Sequence, residues 1–363
     1  MSPSGAYGNQ KSVAIAGAGV IGMSIAWRLA QHGFSVVVFD KGSIGGEASW
    51  AGAGMLAPGG EFDWLSELAK LAITSRRLYR DFVRELEEAA QLTVDYQECG
   101  ALELAYWLPQ WESLLLKAKQ QAGFGVSSRA LNASDVAKFW PRVRIKGLAG
   151  ALFYPEDAIV NPRELMGALS TVCRNLKVEL LENSSVTSAE ITGERITLNT
   201  ASGTRKFDAL VVAAGAWSSS IEVKNVPPLP PSRPVKGHLI GFQQPLQTCN
   251  TIIRHGHTYL LQRANGLLIA GASVEHAGWD RGIDRDIAAT LAKEAGFVLP
   301  HLEETSPSET WIGFRPGSDT LHLGSWYSSR LYLAYGHYRN GILLAPLTAR
   351  TIQEEVIASL RKQ

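Results

Sequence analysis

The sequence predicts an α/β fold: a Rossmann-like domain on a parallel sheet, interleaved with an α+β domain on an antiparallel sheet. The first part rests on a βαβ pattern, in which apolar, β-branched runs at 12–16 and 35–40 flank a helical repeat at 21–31. The second rests on a series of short strand patterns between about 238 and 311. The proline-rich stretch 227–234 cannot pair in the middle of a sheet, so it is predicted to mark a crossing between domains.

The remaining elements divide the chain into five alternating segments. The Rossmann-like domain is predicted at 12–90, 149–225 and 319–363, and the antiparallel domain at 91–148 and 226–318. Periodicity predicts helices near 64–90, 110–123, 134–139, 162–174 and 287–296, strands near 94–106, 178–181, 186–191, 195–199 and 207–213, and a strand, glycine turn and helix after Gly324. The first eleven residues hold one lysine and no apolar core, so a loose tail is expected rather than a signal peptide.

Composition excludes several classes of protein. Hydrophobic residues form 45% of the 363 residues and charged residues 19%, which is enough apolar material for a large core. The net charge of +1 comes without a long basic run, so neither nucleic acid nor an anionic membrane surface is an expected partner. Glycines interrupt the apolar stretch 13–30, so no integral membrane segment is predicted.

The cysteines give no sign of a metal site or a disulfide framework. Cys99, Cys173 and Cys249 lie far apart, without a C-x-x-C pair or a histidine cluster at zinc-ligand spacing. Free thiols in a reducing, cytoplasmic compartment are therefore expected, and no metal. No G-x-S-x-G sequence is present, so hydrolysis through a nucleophilic serine is not predicted.

A glycine motif lies between the first predicted strand and helix. Gly17, Gly19 and Gly22 have G-x-G-x-x-G spacing, and Asp40 ends the second strand. In that context the glycines permit a tight turn, close approach of a pyrophosphate and close helix–sheet packing. Asp40 would accept hydrogen bonds from ribose hydroxyls, which disfavours NADP. The motif predicts a Rossmann-like dinucleotide site, with NAD and FAD both open.

Four further segments resemble the D-amino-acid oxidase family, and most closely the glycine oxidases of thiamine biosynthesis. They are GGEASWAGAGML at 45–56, VVAAGAWS at 211–218, WIGFRPGS at 311–318 and GHYRNGILLAP at 336–346. Their order and spacing extend over nearly the whole chain. The resemblance implies bound FAD. No cysteine lies near the last segment, so the FAD is expected to be noncovalent, unlike the cysteine-linked flavin of the related sarcosine oxidases.

The resemblance also assigns residues around the FAD. The segment 337–343 would face the flavin ring, where a new helix would direct free N–H groups and its positive dipole end at the N1/O2 edge. Val186 would offer backbone groups to the adenine. The predicted cofactor residues are Gly17, Gly19, Val20, Ile21, Gly22, Asp40, Lys41, Ala48, Ser49, Ala53, Gly54, Met55, Val186, Gly215, His337, Tyr338, Arg339, Asn340, Gly341, Ile342 and Leu343.

The predicted substrate site centres on Arg315. It follows a strand and precedes a proline, which would hold its guanidinium rigidly enough to bind a carboxylate through two hydrogen bonds. A surface arginine is the alternative. By resemblance Tyr259 donates to the same carboxylate, and Arg339 adds a second cation. The predicted catalytic residues are Tyr259, Arg315 and Arg339, and Met55 and His257 complete the predicted substrate pocket.

The resemblance implies an FAD-dependent oxidase of glycine, sarcosine or small D-amino acids. Hydride transfer to flavin N5 would give an imine, hydrolysed to a 2-oxo acid and ammonia, and dioxygen would become hydrogen peroxide. The imine would serve thiazole synthesis for thiamine.

Alternatives are a dehydrogenase that passes electrons to a quinone or carrier, an NAD-dependent dehydrogenase, and a flavin-binding scaffold without turnover. A homo-oligomer is compatible with the sequence, which does not set the oligomeric state. Val274 stands where the best-known glycine oxidases carry a methionine, so substrate choice stays open.

Overall fold

The computed structural model describes residues 10–201 and 203–361. Most of the predicted tail, residues 1–9, lies outside them. Strands in chain order are β1 (Ser12–Ala16), β2 (Ser35–Phe39), β3 (Met55–Leu56), β4 (Tyr96–Gln97), β5 (Ala101–Ala105), β6 (Arg129–Leu131), β7 (Gly150–Tyr154), β8 (Ala158–Val160), β9 (Glu179–Leu181), β10 (Val186–Thr192), β11 (Arg195–Thr200), β12 (Gly203–Phe207), β13 (Ala209–Val212), β14 (Glu222–Lys224), β15 (Arg233–Gln243), β16 (Ile252–His255), β17 (Thr258–Gln262), β18 (Leu267–Gly271), β19 (Glu309–Gly317), β20 (His322–Ser325) and β21 (Leu331–Tyr335). Helices are α1 (Val20–Gln31), α2 (Ala48–Ala51), α3 (Pro58–Glu61), α4 (Glu67–Ala90), α5 (Leu108–Ala122), α6 (Ala133–Phe139), α7 (Pro162–Asn175), α8 (Arg285–Val298) and α9 (Gly341–Leu360).

The predicted βαβ unit forms the centre of a six-stranded sheet with the order β20-β21-β13-β1-β2-β9. β1 pairs in parallel with β2 and β13, while β20 joins as an antiparallel edge. Apolar side chains of β1 and α1 pack on α4, α7 and α9 in one core. The other face is covered by the four-stranded sheet β12-β11-β10-β14 rather than by helices. The parallel-sheet prediction is therefore confirmed, with a β-sheet as the third layer.

The larger sheet has eight strands in the order β19-β15-β18-β17-β16-β5-β7-β6. Its pairs are antiparallel except for β16 with β5, which agrees with the predicted antiparallel α+β fold. α8 packs on one face through a core of aliphatic side chains. The opposite face turns toward the segment 41–60, which is rich in glycine, alanine and serine and is predicted as a cofactor loop, so this sheet supplies the floor of the site described below.

Two boundaries differ from expectation. β15 begins at Arg233, inside the proline-rich stretch, because Pro234 pairs only with Pro316 of the edge strand β19. On its other side, β15 begins to pair with β18 only at Leu239. Pro234 lacks an N–H group, but no hydrogen bond to β18 is needed at this position. β7 pairs in the large sheet, although 149–225 is predicted to belong to the parallel-sheet domain. The division into domains stays a prediction.

No helix within the described part of the chain is both long and apolar enough to cross a membrane.

Candidate active site

A cavity of about 920 Å³ extends from the glycine turn after β1 to the face of the large sheet. Its size is in the range of cofactor and substrate pockets. The residues that line it come from both sheets and from the 40–61 segment between them. We call its end at the parallel sheet the cofactor end and its end at the large sheet the substrate end, after the residues predicted for each.

The glycine turn has the geometry predicted for a phosphate cradle. Gly17 has φ +111°, and a methyl group added there would lie 2.3 Å from the Ala213 carbonyl oxygen. A methyl group at Gly22 would lie 1.9 Å from the Gly17 oxygen, so Gly22 permits the close contact of helix and turn. No side chain caps α1 at Gly19. Val20 N–H donates to Ser49 Oγ at 2.9 Å, and Gly19, Val20 and Ile21 at the N-terminus of α1 line the cavity.

Asp40 lies at the end of β2 and lines the cavity. Its Oδ2 accepts from Ala18 N–H at 2.7 Å, and its Oδ1 accepts from Gly42 N–H at 2.8 Å. Each carboxylate oxygen has a second lone pair, so both can also accept a ligand hydroxyl. Asp40 thus ties the glycine turn to the cofactor loop and remains available to a ribose.

A second helix N-terminus faces the cavity at α9. Gly341 and Ile342 line the wall, and Asn340 makes no side-chain cap. A short 3₁₀ turn, Tyr338–Asn340, precedes the helix. Burial lowers the pKa of His337 to about 3, and its Nε2 lies 3.0 Å from Thr348 Oγ1. His337 is therefore a neutral, hydrogen-bonded wall residue and not a cation.

Eighteen of the predicted cofactor residues line this one cavity, and three do not. Gly22 acts through helix packing, Asn340 is buried at the start of α9, and Leu343 is 2% exposed in the core between α9 and the parallel sheet. The roles of all these residues stay predictions. The two uncapped helix N-termini, the acceptor pair on Asp40 and the glycines without room for a Cβ fit an FAD along the cavity. The three cysteines do not line it.

At the substrate end, the cavity wall is one face of the large sheet. Arg315 lies opposite Val235, and Gly237 lies opposite Gly313, on β15 and β19. A methyl group at Gly237 would lie 2.4 Å from Arg315 Nη1, so the guanidinium rests on the backbone of β15. Arg315 Nη1 donates to the Ser273 carbonyl at 3.0 Å and to the Lys236 carbonyl at 3.4 Å. These contacts occupy Nη1 and leave Nε and Nη2 of the guanidinium available to a ligand.

Tyr259 faces the same cavity from β17, opposite Gly271. Its hydroxyl has room because residue 271 is a glycine. A methyl group at Gly271 would lie only 2.9 Å from Oη. Burial raises the pKa of Tyr259 to about 12, although Arg315 and Arg339 act in the opposite direction. The phenol is therefore protonated near neutral pH and is a hydrogen-bond donor.

Arg339 is found in an ion pair that the sequence did not reveal. Its Nε lies 3.1 Å from Glu61 Oε1, and both residues line the cavity. Burial raises the pKa of the Glu61 carboxyl, and the nearby Arg339 and Arg254 only oppose that shift. Glu61 ends the short helix α3, directly after the segment 41–60 that is predicted as a cofactor loop. A single glutamate after two glycines carries no signal of a pocket residue.

Arg254 is the third arginine of the cavity and is also paired. Its Nη1 lies 3.5 Å from Oδ2 of the buried Asp157, and its Nη2 donates to the Ala57 carbonyl at 3.2 Å. In the part of the chain that the structure describes, no carboxylate lies within ion-pair distance of Arg315. Arg315 is thus the cavity arginine with an unneutralised charge.

The remaining predicted substrate residues lie at the edge of this region. Met55 lines the cavity from β3. His257 is exposed in the turn between β16 and β17, and Val274 is half exposed at the mouth. No cluster of three metal-ligating side chains is found within 10–201 and 203–361.

Comparison with known proteins identifies the family. The sequence profile of the DAO family, described as FAD dependent oxidoreductase, matches residues 12–355. The chain belongs to this family. It is therefore an FAD-dependent oxidoreductase.

Individual relatives agree with the family assignment. The chain is 31% identical over 350 residues to glycine oxidase from Geobacillus kaustophilus (strain HTA426), covering 95% of this chain and 92% of that protein. It is 31% identical over 355 residues to the bifunctional protein ThiO/ThiG of Synechocystis sp. (strain ATCC 27184 / PCC 6803 / Kazusa), covering 95% of this chain and 51% of that protein, about half its length. The crystal structure of glycine oxidase from Geobacillus kaustophilus superimposes with a TM-score of 0.89 at 29% identity, covering 96% and 95% of the two chains.

Proposed function

We propose that this DAO family member is an oxidase of glycine, sarcosine or small D-amino acids. The observation that carries the proposal is Arg315: an unneutralised guanidinium in the cavity wall, held by two backbone carbonyls and facing the same space as the Tyr259 hydroxyl. A planar fork with free donors fits a carboxylate. The similarity to glycine oxidases supports an amino acid as the bearer of that carboxylate.

The chain's own residues would position the substrate. Arg315 binds the carboxylate, and Tyr259 donates a further hydrogen bond to it. Glu61 neutralises Arg339, so a second negative group on the substrate would find no free cation beside Arg315. The pocket therefore favours substrates with one carboxylate and a small side chain. Fixed in this way, the α-carbon faces the cofactor end of the cavity, and positioning supplies much of the rate enhancement.

FAD, which the glycine turn, Asp40 and the N-terminus of α9 would hold, would supply the redox chemistry as the hydride acceptor for the α-carbon, with dioxygen as the final electron acceptor and hydrogen peroxide as its product. The oxidised substrate is an imino acid, and water converts it to a 2-oxo acid and ammonia. The buried Tyr259 stays protonated and serves as a donor rather than a base. The resemblance to glycine oxidases of thiamine biosynthesis supports a use of the imine in thiazole formation.

The test is a peroxide-coupled assay of the purified flavoprotein with glycine, sarcosine, D-alanine, D-proline and L-alanine. Flavin reduction is followed in parallel without oxygen. We expect reduction and peroxide formation with at least one of the first four. Reduction without fast aerobic recovery would instead favour a dehydrogenase that uses a quinone or carrier. The absence of reduction by all five amines would contradict the proposal.

A further inference from the structure

The proposed mechanism makes no use of a buried polar network on the far face of β15. Side chains alternate along a strand, so Lys236 and His238 point away from the cavity face that carries Gly237. Lys236 is 2% exposed and His238 is 0% exposed. Their partners lie in the segment 272–284 between β18 and α8, which we call the strap. A buried lysine and histidine are costly unless paired, so the strap is tied firmly to β15.

The hydrogen bonds of His238 define its proton position. Its Nε2 lies 2.9 Å from the Asp284 backbone nitrogen. A peptide N–H can only donate, so Nε2 is the acceptor and the ring proton is on Nδ1. Nδ1 lies 2.7 Å from Glu275 Oε1 and therefore donates to it. The Ser273 hydroxyl donates to the same carboxylate oxygen, and Ser273 Oγ accepts from His238 N–H at 2.7 Å. Glu275 is thus the acceptor at the centre of the network.

Other bonds fix the strap along its length. Lys236 and Glu275 exchange both backbone hydrogen bonds, at 3.0 and 2.9 Å. Lys236 Nζ donates to Asp280 Oδ2 at 2.7 Å and to the Gly282 carbonyl at 2.6 Å. Further along the strap, the Trp279 ring stacks on Trp217 at 4.3 Å. The segment is therefore held at both ends, and its first residues cannot shift independently of β15.

The network bears directly on Arg315. The two carbonyls that accept from its Nη1 belong to Ser273, on the strap, and to Lys236, on β15. Glu275 and its partners tie these two segments together. If the strap moved away from β15, the pair of carbonyls would separate and the guanidinium would lose its fixed orientation. A misplacement of about 1 Å at a binding group can reduce catalysis about 100-fold.

We propose that Glu275, through Ser273 and His238, is a positioning residue that sets the Arg315 guanidinium for the substrate carboxylate. Glu275 does not contact the substrate. The inference rests on the proposed function in one respect, since Arg315 must bind a carboxylate. Ser273 and Val274 of the strap form part of the cavity wall, so the main effect of the network is expected at the substrate end.

The experiment measures acetate binding to the FAD-loaded enzyme, through the change in flavin absorbance. Glu275→Ala should raise the acetate Kd at least tenfold, whereas the FAD Kd should change less than twofold. Glu275→Gln should stay within threefold of wild type, because its carbonyl oxygen can still accept from Ser273 and His238. Ser273→Ala, a smaller change, should raise the acetate Kd at least threefold and serves if Glu275→Ala does not fold. Asp319→Ala, an exposed carboxylate two residues beyond β19, is the matched control and should leave the acetate Kd unchanged.

A second arm separates positioning from a general structural role. In an Arg315→Lys background, which lacks the guanidinium fork, Glu275→Ala should weaken acetate binding less than twofold further. An equal loss in both backgrounds, or a matching loss of FAD affinity, overturns the inference. So does a Glu275→Ala enzyme with wild-type acetate affinity. If Arg315→Ala itself binds acetate normally, the proposed function fails, and the inference with it.

Discussion

The two ends of the cavity are built in different ways. At the cofactor end, the glycine turn and Asp40 lie within 24 consecutive residues on two adjacent parallel strands. At the substrate end, Glu61, Arg254, Tyr259, Arg315 and Arg339 come from five separate elements. The first arrangement is local and is maintained by backbone geometry. The second depends on strand register and on which arginine is neutralised by which carboxylate. Substitutions at the two ends should therefore have separable effects on FAD and on substrate.

The largest effect is expected at Arg315. Replacing it with alanine should reduce kcat/KM for every amino-acid substrate about 30- to 5000-fold, which corresponds to a loss of about 2–5 kcal/mol in transition-state stabilisation. Arg315→Lys should recover only part of this loss, because an ammonium cannot reproduce the two-pronged geometry. FAD affinity should not change. Steady-state kinetics and FAD titration test this, with Arg233→Ala, an exposed arginine on β15, as the control. A loss below threefold would contradict the assignment of Arg315.

The second prediction concerns Asp157, the buried carboxylate that pairs with Arg254 at the substrate end. Burial raises the pKa of Asp157 to about 6, with Arg254 opposing the shift. A carboxyl whose pKa is raised by folding binds more protons in the native state, so the free energy of unfolding falls as pH rises through this range. The contribution is at most about 3 kcal/mol between about pH 4 and pH 6. Denaturation of wild type and Asp157→Asn across this range should show a flatter pH profile for the variant. Parallel profiles would exclude Asp157 as the source.

At the cofactor end, Asp40→Ala should weaken FAD binding by about 1.5–3 kcal/mol, the range for a hydrogen bond to a charged group. The rate of flavin reduction at saturating FAD should change little, because Asp40 lies at the far end of the cavity from Arg315. FAD titration and anaerobic reduction check both parts. Glu179→Ala, which removes an exposed ion pair on the neighbouring strand β9, is the control. An unchanged FAD Kd would assign Asp40 a structural role alone.

The smallest effect is expected from Gly237→Ala, which adds one methyl group at 2.4 Å from Arg315 Nη1. The guanidinium must shift, so the KM for glycine should rise by an amount corresponding to about 1–3 kcal/mol. FAD affinity should stay as in wild type. Gly167→Ala on α7 is a matched control, because a methyl group there meets nothing within 4 Å. An unaltered KM in Gly237→Ala would show that substrate binding does not depend on the present position of the Arg315 guanidinium.

The same contrast explains what the sequence could predict. The βαβ unit, the glycine turn and Asp40 were predictable because hydrophobic periodicity and a short motif specify them locally. The Glu61–Arg339 pair was not, because its partners lie far apart in the chain and α3 has the composition of a loop. The start of β15 at Arg233 was missed because prolines argue against a strand, and the sequence does not show that β15 pairs only with β19 at this point. Lys236 and His238 did leave a signal: polar residues at alternate positions of an apolar strand.

We propose that Arg315 fixes the carboxylate while the α-hydrogen points toward the cofactor end of the cavity. An L-amino acid bound in this way would exchange the positions of its amine and side chain. Anaerobic flavin reduction of the wild-type enzyme by D-alanine and by L-alanine tests the claim most directly. We predict reduction by D-alanine at least tenfold faster than by L-alanine. Equal rates, or faster reduction by L-alanine, would contradict it.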